Sequence, residues 1–147
     1  MTPDQRVLRD ALAGLPVRIA AAASGLVDPS PAPAPGAWSV REVILHLAAV
    51  EVEVWHARLD SLATEAHPEW SWVEPGPWAG PGAGSFAGAL DIFTWFRTAT
   101  IARLDALDDA GWARGGRHAT YGELDVAGLL RIAVDHDEEH LRQIAAR

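Results

Sequence analysis

Apolar side chains recur at the three- and four-residue spacing of an amphipathic helix in four separate segments of this chain. The first segment follows Thr2 and Gln5, which have the spacing of a helix N-cap and its capping box, and Pro16 predicts a kink or a restart within it. The second segment begins at Ser39, which forms a second predicted capping box with Glu42. Both segments are therefore predicted to be helices with defined starting residues.

The third and fourth segments each begin at a single capping residue. Ser85 is the predicted N-cap of the third helix, and Asp125 is the predicted N-cap of the fourth, which runs to Ala146. Arg97 lies in the apolar face of the third helix, where an arginine must extend to solvent, pair with a carboxylate or face a pocket. Solvent extension or an ion pair is favoured over contact with an anionic substrate group.

Prolines and glycines mark the connections between these helices. Residues 28–36 carry four alternating prolines, which favour an extended and fairly stiff connector. Residues 67–84 form a long loop with three tryptophans, and a loop of this length in a compact domain is usually functional or mobile. We expect it to cross the end of the bundle and cover a pocket. Its two possible metal ligands, His67 and Glu74, are expected to be exposed to solvent.

The remaining connection, residues 108–118, is predicted to be a glycine-rich turn in which His118 is solvated. No segment of the chain shows a convincing alternating pattern typical of a strand. The fold class is therefore predicted to be all-α, a four-helix bundle with long connecting loops. The length of 147 residues suits a single domain that spans residues 1–147.

Two histidines in the last helix suggest a metal site. His136 and His140 are four residues apart, so they share one helix face with their Cβ atoms about 6 Å apart. That face is otherwise apolar, with Leu129, Ile132, Ala133 and Ile144. Two inward-facing imidazoles each need a hydrogen-bond partner or a metal ion, because an unpaired buried polar group costs about 1–3 kcal/mol. His46, at the border of the second helix's apolar face, is the candidate third ligand; the alternative is three ordinary histidines bonded to neighbouring groups.

Composition narrows the possible functions. The chain has no cysteine, which excludes disulfides, thiolate metal ligands and an internal thiol nucleophile. A formal net charge of −8 without a basic stripe argues against nucleic acid as a partner. No apolar run reaches the length of about 20 residues that spans a bilayer, and the amino end lacks a signal pattern. We therefore expect a soluble, cytoplasmic protein with no membrane partner.

Two motifs resemble those of a known family. Trp38–Leu47 is similar to the second-helix signature of the DinB/YfiT superfamily, and His136–Ile144 is similar to its last-helix signature. The resemblance implies a DinB-like bundle, usually a homodimer, that holds a divalent ion, commonly zinc or nickel. The three implied ligands are His46, His136 and His140. It further implies chemistry like that of transferases and isomerases that use mycothiol, bacillithiol or glutathione, and it implies no DNA binding.

These observations support one leading hypothesis, a metal-dependent enzyme. Three neutral imidazoles leave coordination positions open, which is typical of a catalytic centre. The ion would lower the pKa of an exogenous thiol and direct the thiolate at an electrophilic small molecule under the tryptophan-rich loop. In this hypothesis Arg97 holds an anionic group of the substrate.

Two alternatives remain open at this stage. In the first, metal-bound water is the nucleophile of a hydrolase, and Glu42, Asp137 or Glu139 orients a ligand or moves a proton. In the second, the three histidines only stabilise the bundle or sense metal, and the protein is not an enzyme.

Overall fold

The predicted helices form the framework of the computed structural model, which describes residues 1–26 and 31–147. The helices are α1 (Pro3–Ala23), α2 (Val40–Val50), α3 (Ala57–Thr64), α4 (Phe86–Asp105), the single turn α5 (Asp109–Trp112) and α6 (Val126–Ala145). A π-helical segment, Glu51–His56, joins α2 to α3 so that the three form one continuous helix. This long helix packs on α4 and α6, and α1 packs on the same two helices. The predicted all-α four-helix bundle is confirmed.

The helix starts follow the capping residues of the sequence. Both predicted capping boxes are formed at the starts of α1 and α2, and Ser85 and Asp125 accept from backbone N–H groups at the starts of α4 and α6. The α1 helix runs without interruption through Pro16, so a restart at this proline does not occur. Leu15 and Ile19 are fully buried on either side of Pro16. Their packing stabilises the helix across the hydrogen bond that proline removes.

A small three-stranded sheet, which the sequence did not predict, closes one part of the bundle. Its strands are β1 (Glu69–Trp70), β2 (Gly115–His118) and β3 (Gly122–Asp125), with β1 parallel to β2 and β2 antiparallel to β3. A Cβ atom at Gly116 would lie 2.6 Å from the Pro68 carbonyl oxygen, so the close approach of β1 requires glycine there. The predicted turn at 108–118 is thus partly a strand. The expectation that His118 is solvated is wrong, because this side chain is buried in the sheet.

Only part of the proline-rich connector belongs to the described chain. Residues 28–30 of the predicted 28–36 connector lie outside the described residues, and residues 31–36 form neither helix nor strand. Gly36 has φ of +79°, which is a backbone conformation that side-chain-bearing residues rarely adopt. This glycine lets the chain turn just before α2 begins.

The core consists of two apolar clusters with a layer of buried charge between them. One cluster surrounds the start of α2 and the end of α6, and the other surrounds α3 and the start of α6. Glu51, Arg97 and Asp137 lie between the clusters and are almost completely buried. Within residues 1–26 and 31–147, no helix combines the length and apolar character needed to cross a membrane.

Candidate metal centre

Three imidazoles meet where α2 faces α6. His46 comes from α2, and His136 and His140 come from α6. The Nε2 atom of His136 lies 3.3 Å from Nε2 of His46 and 3.2 Å from Nε2 of His140. One ligand atom from each of the three lies within 4.8 Å of the others. The structure therefore brings together the three histidines that the sequence proposed as ligands.

Hydrogen bonds fix two of these rings with Nε2 free to bind a cation. The Nδ1–H group of His46 donates to the Pro75 carbonyl oxygen at 2.7 Å, and Nδ1–H of His140 donates to Oε1 of Gln143 at 2.8 Å. A ring that donates through Nδ1 carries its lone pair on Nε2. Pro75 and Gln143 are thus supporting residues of the site, and neither was predicted from the sequence. Gln143 lies three residues after His140, and this spacing, which places both side chains on one helix face, is the one sequence feature that could have indicated the contact.

The geometry of the Nε2 atoms fits a divalent ion. Tetrahedral zinc with Zn–N bonds of about 2.0–2.1 Å separates its nitrogen ligands by about 3.3 Å. Two of the three separations, 3.3 and 3.2 Å, agree with this value, and the ligand atoms of His46 and His140 lie within 4.8 Å of each other. Without a cation, the lone pairs of His46 and His140 both face His136, which has at most one proton on Nε2 to donate. The donor set therefore fits a bound metal ion, and without the ion at least one of the imidazole acceptors has no donor.

Burial keeps two of these rings, those of His46 and His136, in the neutral form that binds metals. Desolvation lowers the pKa of His46, and His140 lowers it further, although the bond to the Pro75 carbonyl partly opposes this. Desolvation, together with the neighbouring His140 and His46, lowers the pKa of His136 to about 3. Metal binding needs a deprotonated imidazole nitrogen, so no proton must be displaced from His136 at neutral pH.

A cavity of about 440 Å³ adjoins the three histidines. This volume is within the range of small-molecule sites. Residues 72–75 of the long loop form part of its wall, in line with the expectation that this loop covers a pocket. The apolar lining consists of Val50, Val54, Trp55, Trp72, Val73, Pro75 and Ile132, and the polar lining also includes Arg58, Glu74, Tyr121, Asp135 and Glu139.

The π-helical segment determines which side chains reach this cavity. Residues 46, 50, 54 and 58 all line it. In an uninterrupted α-helix of about 3.6 residues per turn, residue 58 would be rotated about 120° away from residue 46. The π-helical segment Glu51–His56 has more residues per turn, which reduces this rotation. Residues at every fourth position, from 46 to 58, therefore stay on the same side of the helix. No pattern in the amino-acid sequence predicted this π-helical segment.

Arg97 belongs to the core and does not line the cavity. Its Nε, Nη1 and Nη2 atoms donate to the carboxylates of Glu51 and Asp137, and Nη1 also donates to the Leu12 carbonyl oxygen at 2.8 Å. These five bonds occupy all five N–H donors of the guanidinium. The ion-pair interpretation of Arg97 therefore fits, and the role of binding an anionic substrate group does not, because no donor remains.

The candidate acidic residues occupy three different environments. Glu42 accepts from the backbone N–H of Ser39 at 2.7 Å and is not part of the cavity lining. Asp137 is buried against Arg97, so its carboxylate supports the core. Glu139 is exposed at the cavity beside the histidines. Of the three, only Glu139 lies where a substrate could touch it.

The two possible ligands in the long loop are also separated by the structure. His67 pairs with Glu123 at 2.7 Å on the exposed surface, away from the three-histidine cluster. Glu74 is exposed, as expected, but it does line the cavity.

Comparison with known proteins identifies the family. The sequence pattern of the DinB superfamily matches residues 5–144. The chain belongs to the DinB superfamily. The solved structure of YfiT from Bacillus subtilis is similar, with a TM-score of 0.76 and 19% sequence identity over 99% of this chain and 87% of YfiT. YfiT is described as "a probable metal-dependent hydrolase with an unusual four-helix bundle topology".

No curated protein matches this chain. At 19% identity, the likeness to YfiT shows a shared fold. The function of this DinB-superfamily protein therefore has to be argued from its own site residues.

Proposed function

We propose that this DinB-superfamily protein is a metal-dependent enzyme that transfers an exogenous low-molecular-weight thiol to an electrophilic small molecule. The observation that carries the proposal is the convergence of three Nε2 atoms, two with fixed tautomers, beside a cavity of about 440 Å³. A site that served stability alone would need no adjoining cavity. His46, His136 and His140 would hold the ion, with zinc or nickel as the expected metal.

The chain's own residues have distinct tasks in this proposal. A divalent ion bound there would supply Lewis acidity and lower the pKa of a coordinated nucleophile. Pro75 and Gln143 hold the rings of His46 and His140 in the orientation that presents Nε2. The exposed carboxylate of Glu139 accepts the S–H proton as the sulfur forms a bond to the electrophilic carbon of the substrate. The bond from that carbon to its leaving group breaks, and the leaving group departs with the electron pair. Mycothiol, bacillithiol and glutathione are the candidate thiols, because the chain itself has no cysteine.

Hydrolysis is the second candidate function. It is favoured by the same Glu139 carboxylate, which could take a proton from water, and by the fold shared with YfiT, described as a probable metal-dependent hydrolase. We also propose that the protein is a homodimer, as the resemblance of its sequence motifs implies, and that it acts in the cytoplasm.

The test begins with metal content, measured by elemental mass spectrometry on protein without a histidine tag. We expect about one ion per chain in the wild type and loss of the ion in His46→Ala, His136→Ala and His140→Ala, because each removes one of three protein ligands. His67→Ala is the matched control, since His67 is an exposed histidine outside the cluster. Failure to bind zinc, nickel, manganese or iron after reconstitution would overturn both enzyme proposals.

The nucleophile is then identified with the zinc-loaded protein and 1-chloro-2,4-dinitrobenzene or 4-nitrophenyl acetate. Product formation that requires glutathione or mycothiol, and that is lost in His136→Ala, supports thiol transfer. Ester cleavage without thiol, also lost in His136→Ala, supports hydrolysis and contradicts thiol transfer. The wild type is also compared with metal-free protein in substrate-binding measurements. Metal binding with neither reaction, and with no metal-dependent binding of a substrate, would support the non-catalytic alternative.

A further inference from the structure

A second buried arginine lies in the cavity wall and has no carboxylate partner. Arg58 is only 6% exposed and lines the cavity beside the three histidines. Among the described residues, no carboxylate lies within 4.0 Å of its guanidinium. Its Nη2 atom donates to the Ser71 carbonyl oxygen at 3.2 Å, and its guanidinium carbon lies 5.5 Å from the ring centre of Trp55. A buried cation with so little compensation is unusual in a stable fold.

The other polar neighbour of Arg58 is a donor as well. Nη2 of Arg58 lies 3.2 Å from Nε2 of His118. The backbone N–H groups of Thr120 and Tyr121 both point at Nδ1 of His118, at 3.0 and 3.3 Å. Nδ1 therefore carries the lone pair, and the proton of the neutral ring is on Nε2. Two N–H donors then face each other, and this pair needs an acceptor that the described residues do not supply.

The unused donors of Arg58 are open to the cavity. In the described chain, the buried polar side-chain atoms that lack any partner are the ring nitrogens of three tryptophans and Nδ1 of His136. Among the described residues, the polar contacts of Arg58 involve only Nη2, and Nε and Nη1 are not among these enclosed atoms, so both retain some exposed surface. Because Arg58 lines the cavity, these two nitrogens are the ones that can donate to a molecule in it. Desolvation lowers the pKa of Arg58, yet an arginine keeps its charge at neutral pH.

The remaining charges in the lining indicate which anion fits. Glu74, Asp135 and Glu139 line the cavity as exposed carboxylates, whereas Arg58 is the one arginine among the described residues of the lining. Three carboxylates disfavour a multiply charged phosphate, while one guanidinium matches one carboxylate. Trp55 supplies an apolar surface next to the guanidinium. A molecule with one carboxylate and an apolar body therefore complements both parts of the lining.

We propose that Arg58 binds the carboxylate of the small-molecule substrate and thereby fixes its orientation relative to the three histidines. The identification of this ligand as a substrate rests on the proposed function, whereas its binding at Arg58 does not. Arg58 is accordingly a substrate-binding residue that recognises a monocarboxylate with an apolar body.

The test compares two probes of nearly equal shape, 3-phenylpropionate and its neutral amide 3-phenylpropionamide. Binding to zinc-loaded and metal-free protein is followed by ligand-observed NMR and by the fluorescence of the tryptophans. In both forms of the wild type, we expect the carboxylate to bind at least about tenfold more tightly than the amide, because a charge-assisted hydrogen bond is formed only with the carboxylate. Arg58→Met should bind the carboxylate and the amide about equally, whereas Arg58→Lys should keep part of the preference for the carboxylate.

Arg131→Met is the matched control, since Arg131 is an exposed arginine outside the cavity lining. It should keep the preference of the wild type, and circular dichroism verifies that each variant is folded. No preference in the wild type, or an equal preference in wild type and Arg58→Met, would overturn the proposal. Metal binding without an Arg58-dependent preference would refute this inference alone. An Arg58-dependent preference without metal binding would support it and refute the proposed enzyme function.

Discussion

The two buried arginines of this bundle, Arg97 and Arg58, differ in whether the protein itself satisfies their hydrogen-bond donors. Their exposed fractions are nearly equal, 2% and 6%. Arg97 donates five hydrogen bonds and contacts two carboxylates. Arg58 donates one clear bond, to the Ser71 carbonyl, and faces a cavity. Burial alone therefore does not distinguish a structural cation from a ligand-binding one, but an inventory of donors and acceptors does.

The same distinction separates two layers of the molecule. In the layer around Arg97, groups from α1, the π-helical segment, α4 and α6 satisfy one another, which ties the helices together. In the layer around Arg58 and the three histidines, N–H groups of Arg58 and His118 face each other. The lone pairs of His46 and His140 both face His136. The first layer is complete within the described chain. The second is arranged to be completed by a cation at the histidines and an anion at Arg58.

The largest expected effect comes from replacing each arginine with methionine. Arg97→Met leaves Glu51 and Asp137 buried without a cation, and breaking a buried ion pair in this way costs about 3–5 kcal/mol. Arg58→Met leaves no buried carboxylate unpaired and removes a contact between two donors, so we expect a change of less than about 1 kcal/mol. Urea unfolding of metal-free protein, followed by circular dichroism, gives both values.

Glu51→Gln combined with Arg97→Met sharpens this test. The double variant removes one of the two stranded charges, so it should be more stable than Arg97→Met alone. Equal losses of stability in Arg58→Met and Arg97→Met would contradict the distinction between the two arginines. They would place Arg58 among the groups that hold the bundle together.

Sequence patterns were sufficient to predict the parts of the structure that depend on local spacing. The starts of α4 and α6 follow from Ser85 and Asp125, since a capping side chain acts within three residues of itself. The pair His136 and His140 follows from the helical repeat for the same reason. His46 was identified because its own helix placed it at the edge of the core.

Features that depend on distant pairing were missed. Arg58 joins the site because a π-helical segment alters the rotation of the long helix, and the hydrophobic pattern gives no sign of this change. His118 is buried because β2 pairs with β1 across about fifty residues, and two short glycine-containing strands carry no clear alternation. The partners of Arg97 stayed unknown, because pairing of Glu51 with Arg97 requires the packing of two helices.

The next expected effect is a pH dependence of the free energy of unfolding, which arises from His136 in the layer around Arg58 and the three histidines. The ordinary pKa of histidine is 6.5, and burial lowers that of His136 to about 3 in the folded protein. Neutral His136 therefore contributes its full stability above pH 6.5, and this contribution is lost as the pH falls from 6.5 towards 3. One additional proton bound by the unfolded chain gives a slope of about 1.4 kcal/mol per pH unit.

Urea unfolding of metal-free protein between pH 7.5 and pH 4.5 measures this slope. In His136→Gln the free energy of unfolding should decline less steeply, by up to about 1.4 kcal/mol per pH unit, because that proton is no longer taken up. His67→Gln serves as the control and should keep the wild-type slope, since His67 is on the exposed surface. Identical slopes in wild type and His136→Gln would show that His136 is not held neutral by burial.

The smallest effect concerns Glu42, whose carboxylate accepts from the Ser39 backbone N–H at the start of α2 and lies outside the cavity lining. Ser39→Ala removes the hydroxyl that accepts from the Glu42 backbone N–H and should cost about 0.5–2 kcal/mol. Glu42→Gln should cost less than about 1 kcal/mol, because glutamine still accepts from the Ser39 backbone N–H and only the favourable charge at the helix start is lost. Both variants should retain the wild-type metal content, which elemental mass spectrometry measures alongside urea unfolding. Loss of metal in Glu42→Gln, with the helix intact, would instead place Glu42 in the metal centre.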